Sequence, residues 1–196
     1  SMFIVSMYEK AMKFYKQGDY ISALKVLDDI LSENPDDVKA LYYVGLVFNA
    51  MEDYEKALSA FGRVVELDPK NSDAWFNLGV IFDTLGEFKK SIKMYAKVLE
   101  ISPDSFDAWY NKGIAYGALG KFKSAIESFD RAIKLKPDFE DAKYNKGIAL
   151  IELARQCVKN NKIAEAKKYL KEAKETSPEL EELIKKDKKL NKIYED

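Results

Sequence analysis

The stretch Asp73-Ala74-Trp75-Phe76-Asn77-Leu78-Gly79 returns 34 residues later as Asp107-Ala108-Trp109-Tyr110-Asn111-Lys112-Gly113, and again as Asp141-Ala142-Lys143-Tyr144-Asn145-Lys146-Gly147. Prolines keep the same interval at Pro35, Pro69, Pro103 and Pro137. A fixed period of this length marks a stacked array of supersecondary units, none able to bury its apolar face alone. With proline at position 32, the units span 4–37, 38–71, 72–105, 106–139 and 140–180, followed by 181–196. The fifth unit is seven residues longer, because its proline is Pro178.

The same frame sorts the large and small side chains. Position 8 reads Ala11, Gly45, Gly79, Gly113, Gly147, and position 20 reads Ala23, Ala57, Ser91, Ala125, Ala166. Position 11 reads Phe14, Phe48, Phe82, Tyr116, Leu150, and position 24 reads Leu27, Phe61, Tyr95, Phe129, Leu170. Glycine inside a helix costs roughly 1 kcal/mol against alanine. Its recurrence implies two antiparallel helices in close approach, with each glycine facing a small residue. On that reading Gly113→Leu overpacks the pair, whereas Gly113→Ala is tolerated.

Helix punctuation follows the period. Gly18, Gly86, Gly120 and Asn161 occupy position 15 between the two helices, where a positive φ suits a tight helix end. Glu52 holds that slot in the second unit, which predicts a less regular turn. Asn34-Pro35, Asp68-Pro69 and Ser102-Pro103 end the second helices, since the residue before proline is pushed out of the helical region. Asp37, Asn71 and Ser105 then cap the next first helices. In unit five, Leu150, Leu153, Ala154, Cys157 and Val158 continue the first helix's apolar stripe, so the extra residues within Ala154–Asn160 lengthen it by about two turns, roughly 10 Å at ~1.5 Å per residue. The exposed Cys157 and Val158 then need cover from the C-terminal helix or a second subunit. Leu183, Ile184, Leu190, Ile193 and Tyr194 make 181–196 an amphipathic capping helix.

Small residues at 8 and 20, aromatics near 4, 11 and 24, and proline at 32, repeated in one phase from about residue 4 to residue 180, resemble the tetratricopeptide repeat. The resemblance implies an all-α fold: a right-handed superhelix (α-solenoid) of five helix-turn-helix units plus a C-terminal capping helix, one domain over 1–196. Departures are modest. Met7 and Lys10 stand where the pattern prefers large apolar groups, and Lys112 and Lys146 sit at the usually apolar position 7, their stems packing while the ammonium groups snorkel outward.

Composition excludes several function classes. The chain has no histidine and a single cysteine, Cys157, so the usual base for a nucleophile, a Cys/His zinc site and an internal disulfide are all missing. No glycine-rich phosphate loop is present, because the glycines follow the repeat. Charge nearly cancels, with 32 Lys+Arg against 33 Asp+Glu, and no apolar run approaches a membrane span. The eleven lysines between Lys159 and Lys192 read as the solvated outer face of a terminal unit. The expectation is a cytoplasmic chain that is not an enzyme, with no cofactor, metal, nucleic acid or membrane partner. Ser1 before Met2 reads as a cloning remnant.

Family resemblance puts the binding groove on the first helices, through positions 2, 5, 6, 9, 12 and 13, and implies a non-enzymatic scaffold for protein binding. Position 5 is aromatic throughout: Tyr8, Tyr42, Phe76, Tyr110, Tyr144. Position 6 reads Glu9, Tyr43, Asn77, Asn111, Asn145, and position 2 becomes acidic at Asp73, Asp107 and Asp141. Either the asparagines form a ladder that bonds the backbone of an extended or helical peptide, or they and the tyrosines hold neighbouring helices together. Groove acids (Glu9, Asp73, Asp83, Asp107, Asp141, Glu152) outnumber Lys16 and Lys39, which favours neutral or basic peptides over acidic C-terminal tails. The set Lys at 5 and Asn at 9, then Asn at 6, then Lys at 2 and Arg at 6, found in carboxylate-clamp relatives, is missing. A rival reading is a structural self-assembly module that joins copies through termini or groove, motivated by the apolar Phe3-Ile4-Val5.

Overall fold

The computed structural model describes residues 1–195. Among them are twelve α-helices and no strand. In order they are α1 (Met2–Lys16), α2 (Tyr20–Glu33), α3 (Val38–Ala50), α4 (Tyr54–Leu67), α5 (Ser72–Thr84), α6 (Phe88–Ile101), α7 (Phe106–Ala118), α8 (Phe122–Leu135), α9 (Glu140–Lys159), α10 (Ile163–Thr176), α11 (Leu180–Lys186) and α12 (Lys188–Glu195). The chain divides into two compact units that meet in sequence at Glu87 and Phe88. No described helix is long and apolar enough to cross a membrane.

In the first unit, α1 pairs with α2 and α3 with α4, while α2 packs on α3 and α4 on α5. Ala11, Ala23, Leu27, Ile30, Ala40 and Val47 form the core shared by α1, α2 and α3. In the second unit α7 pairs with α8 and α9 with α10, α6 packs on α7 and α8 on α9, and α11 and α12 lie against α10.

The predicted caps form. Asp37 accepts from Ala40 N at 2.9 Å, Asn71 from Ala74 N at 3.0 Å and Ser105 from Ala108 N at 3.3 Å, each supplying an orphan helix donor with an acceptor. Gly18, Gly86, Gly120 and Asn161 turn with positive φ. Glu52 does so too, at φ 60°. The turn there is therefore regular, and the glutamate bears the left-handed strain.

The glycine notch differs from its sequence expectation. A Cβ on Gly45 would lie 2.7 Å from the Phe61 ring, and one on Gly113 would lie 2.6 Å from the Phe129 ring. The glycine makes room for the large position-24 ring of its own repeat, not for a small residue. At Gly147 the position-24 residue is Leu170, and the space is filled by Leu180 of α11, whose Cδ1 would sit 2.2 Å from an added Cβ. At all three glycines the space is filled, by a ring of the same repeat at Gly45 and Gly113 and by a leucine of α11 at Gly147.

The fifth unit's insertion lengthens α9 to 20 residues, where α7 has 13. Cys157 and Val158 pack in one cluster that includes Ile184, Leu190 and Ile193 of the C-terminal segment, and Cys157 Sγ also lies 3.8 Å from Glu165 of α10. That segment is two helices and not a single capping helix over 181–196. Asp187 breaks it by accepting from Lys189 N and Leu190 N at 3.0 and 3.1 Å, a capping arrangement at the head of α12, while its other oxygen takes Arg155. Leu183, expected on the apolar stripe, is 42% exposed. Lys146 does not simply snorkel into water: its half-buried ammonium lies 2.7 Å from Asp130 and 3.5 Å from Glu172. Lys112 lacks such carboxylates and rests 5.2 Å from the Trp109 ring, where burial pushes its pKa below the ordinary lysine value.

Candidate functional site

Helical spacings of three and four place the candidate residues of each first helix on one face. In the first unit that face contains two adjoining clefts. The larger, about 630 Å³, lies over α1 and α3 and is lined by Val5, Tyr8, Glu9, Met12, Lys13, Lys16, Gln17, Lys39 and Tyr43. The smaller, about 400 Å³, lies over α3 and α5 and is lined by Val38, Lys39, Tyr42, Tyr43, Asn71 and Asp73. Lys39 and Tyr43 belong to both clefts. Five of the candidate residues therefore meet at a continuous surface: Tyr8, Tyr42, Tyr43, Asp73 and, bonded to Tyr42 beside it, Asn77.

The tyrosines at position 5 serve the packing. Tyr42 packs edge-on against Phe61 with ring centroids 5.4 Å apart, and its hydroxyl accepts from Asn77 Nδ2 at 3.1 Å. The second unit repeats this arrangement: Tyr110 lies 5.9 Å from Phe129 and accepts from Asn145 Nδ2 at 3.0 Å. Each asparagine also donates from Nδ2 to the carbonyl four residues earlier, Asp73 O and Asp141 O, both at 2.9 Å. The amide N–H donors of Asn77 and Asn145 are thus used within the fold, and each Oδ1 remains to accept from outside. Burial raises the hydroxyl pKa of Tyr42 and Tyr110, and the neighbouring Asp73 or Asp141 charge adds to the shift.

Asn111 breaks the series. Among the described residues the half-buried Asn111 amide makes no hydrogen bond. Tyr144 is the most exposed of the candidate aromatics, at 39%. Phe76 is half-buried, while Asp73, Asp107 and Asp141 are exposed. Asp107 and Asp141 belong to the second unit, and no described cation pairs with them.

Tyr8 is buried, donates its hydroxyl to Asp37 Oδ2 and sits 6.0 Å from the Tyr43 ring in an edge arrangement. Burial, followed by that hydrogen bond and the Asp37 charge, pushes its pKa well above the ordinary tyrosine value. The Lys39 ammonium lies 4.6 Å from the Tyr8 ring centre and 5.8 Å from that of Tyr43. Sequence reasoning placed Val5, Met12, Lys16 and Lys39 at groove positions but missed Lys13 and Gln17 as lining residues. The available signal was the helical spacing Glu9, Met12, Lys13, Lys16. Elsewhere in the groove set, Glu152 pairs with Arg155 at 3.3 Å.

Tetratricopeptide-repeat family models match residues 8–50, 48–106 and 106–139. No curated protein matches the chain. Among solved structures, a crystal structure of MamA superposes with a TM-score of 0.74 at 23% identity, over 91% of this chain and 93% of that one. MamA residues 41 to the end from Desulfovibrio magneticus RS-1 give 0.70 at 20% identity, covering 88% and 94%. YrrB, a TPR protein with an unusual peptide-binding site, gives 0.69 at 20% identity, covering 88% and 85%.

Proposed function

The chain belongs to the tetratricopeptide repeat family, and from that premise we propose that it is a non-enzymatic scaffold holding an extended or helical segment of a partner protein along its first helices. One observation carries the reading: the two adjoining clefts of about 630 and 400 Å³ are lined chiefly by first-helix positions 2, 5 and 6 and share Tyr43. Clefts of this size accept a few side chains. YrrB, with its own peptide-binding site, is a structural neighbour that fits this reading.

Within the fold, Tyr8, Tyr42 and Tyr110 position the surface, while Tyr43, the free Oδ1 atoms of Asn77 and Asn145, the Asn111 amide and Tyr144 meet the ligand. In the second unit the exposed Asp107 and Asp141 favour neutral or basic ligand residues. The test is selection from a random peptide display library on the immobilised full chain. Selected peptides should lose most of their affinity for Tyr43→Ala. Failure to select any peptide, or selected peptides indifferent to Tyr43→Ala and Asn111→Ala, would overturn the reading.

A second reading, self-assembly, is favoured by Met2, Phe3 and Val5, which are 90%, 72% and 54% exposed on α1. Light scattering on the full chain against Phe3→Ser/Val5→Ser separates the two. A concentration-dependent oligomer abolished by that pair supports assembly, and a monomer in both samples excludes it.

A further inference from the structure

We propose that the cleft over α1 and α3 receives the carboxylate-bearing part of an acidic peptide segment. This inference rests on the peptide-binding reading above and assigns an opposite ligand charge to one end of the first unit. Three cations line the cleft, Lys13, Lys16 and Lys39, against one anion, Glu9. No described carboxylate lies within ion-pair distance of any of the three lysines. Asp37, the acid nearest to Lys39 in sequence, is already engaged by the Tyr8 hydroxyl on one oxygen and by Ala40 N on the other.

Helix electrostatics explains part of this cluster and leaves the rest. Lys13 and Lys16 stand in the last turn of α1, where cations offset the negative end of the helix dipole. Lys39 stands in the first turn of α3, where a cation opposes the dipole and costs stability. It is nevertheless held over the Tyr8 and Tyr43 rings, facing the same cleft as the α1 lysines. A cation kept at the unfavourable helix end and left without a carboxylate is explained by a carboxylate arriving from a ligand. Val5, Met12 and the Tyr43 ring supply an apolar floor for a side chain flanking the acid. In the adjoining cleft Asp73 stands with Lys39, so the anionic part of the ligand stays on the α1 side.

The experiment is fluorescence polarisation at low salt with the full chain and labelled dodecapeptides that alternate Glu with Leu. Companion peptides carry Gln or Lys in place of every Glu, and each is made with a free and with an amidated C-terminus. The Glu peptide should bind on the order of tenfold tighter than the Gln peptide, as two or three partly exposed charge pairs would give. That preference should fade as salt screens it. It should vanish in Lys13→Gln/Lys16→Gln/Lys39→Gln, with an unchanged melting temperature certifying the fold, and persist in Lys167→Gln, which removes an exposed lysine of α10.

Amidation that leaves binding intact identifies side-chain carboxylates as the ligand groups. Amidation that abolishes it overturns the proposal, because the bound group would then be the chain terminus and not the acidic side chains. Equal affinity for Glu and Gln peptides, or a Glu preference surviving the triple substitution, overturns it. So does an RNA oligonucleotide of equal charge that displaces the Glu peptide equally well. Library peptides that bind without any charge preference would sink this inference and leave the groove reading standing, whereas an empty library selection removes both.

Discussion

The hairpins α7–α8 and α9–α10 solve one packing problem with different parts. In the first, the notch at Gly113 is filled from within the repeat by Phe129, which is 2% exposed. In the second, the position-24 ring has become Leu170, and the notch at Gly147 is filled from beyond the repeat by Leu180, which is 1% exposed. What recurs is a filled volume, and its source is free to move along the chain. A terminal repeat can therefore depend on the segment that follows it. Here α11 is part of the fifth repeat's core, joined with Leu150, Ala166 and Leu170 in one cluster.

The largest expected effect comes from removing the borrowed plug. Leu180→Ala should empty the Gly147 notch and cost about 2–5 kcal/mol, the range for burying a cavity where leucine stood. Urea denaturation followed by circular dichroism gives the number. Loss below about 1 kcal/mol would mean that α11 merely lies on the hairpin and that the comparison with Phe129 is false.

The next effect sharpens the comparison between the two notches. Gly113→Ala places a methyl 2.6–3.0 Å from three atoms of the Phe129 ring, so the buried ring must move as a body. Overpacking of this kind costs about 1–3 kcal/mol. Gly147→Ala meets only Leu180 Cδ1 that closely, with the next atoms at 3.6 and 3.7 Å. A leucine rotamer change relieves one such contact, so this variant should lose less stability than Gly113→Ala. Thermal melts of both variants decide it, and the reverse order would show that Leu180 is the more tightly held plug.

These residues also show how far the sequence could be read. Signals confined to one element were legible: the caps Asp37, Asn71 and Ser105, the glycine turns, and the lengthening of α9 by an apolar stripe that keeps its phase. Features set by the approach of two elements were not. Spacing alone put a small partner opposite Gly113, because the reach of a ring from position 24 depends on the crossing of two helices. The asparagine series looked uniform, yet only Asn77 and Asn145 find a tyrosine hydroxyl within their own unit. Lys13 escaped the groove set because family positions stood in for the real surface of α1. The break at Asp187 lay in plain view as an Asp before Lys188-Lys189-Leu190, but the apolar spacing across it suggested one helix.

The smallest effect tests whether α12 belongs to the same cooperative core as the Leu180 plug. Burial alone would raise the Asp187 carboxyl pKa, but hydrogen bonds from Leu190 N–H and the Arg155 guanidinium outweigh it and hold the group below its usual value. Asp187 is ionised more readily in the folded chain than in the unfolded one. Its contribution is therefore present in full above the unfolded carboxylate pKa of about 3.9 and is lost as pH falls through the lower folded value. Asp187→Asn keeps a cap acceptor but loses the charge, so it should melt below wild type near neutral pH. The gap should close as the pH is lowered from about 4 toward 2. A gap unchanged over that window would assign the loss to cap geometry rather than charge. A gap that closes while Leu180→Ala stays fully destabilising at both pH values would show that the plug holds the fifth repeat by packing, with the Arg155–Asp187 pair securing only α12.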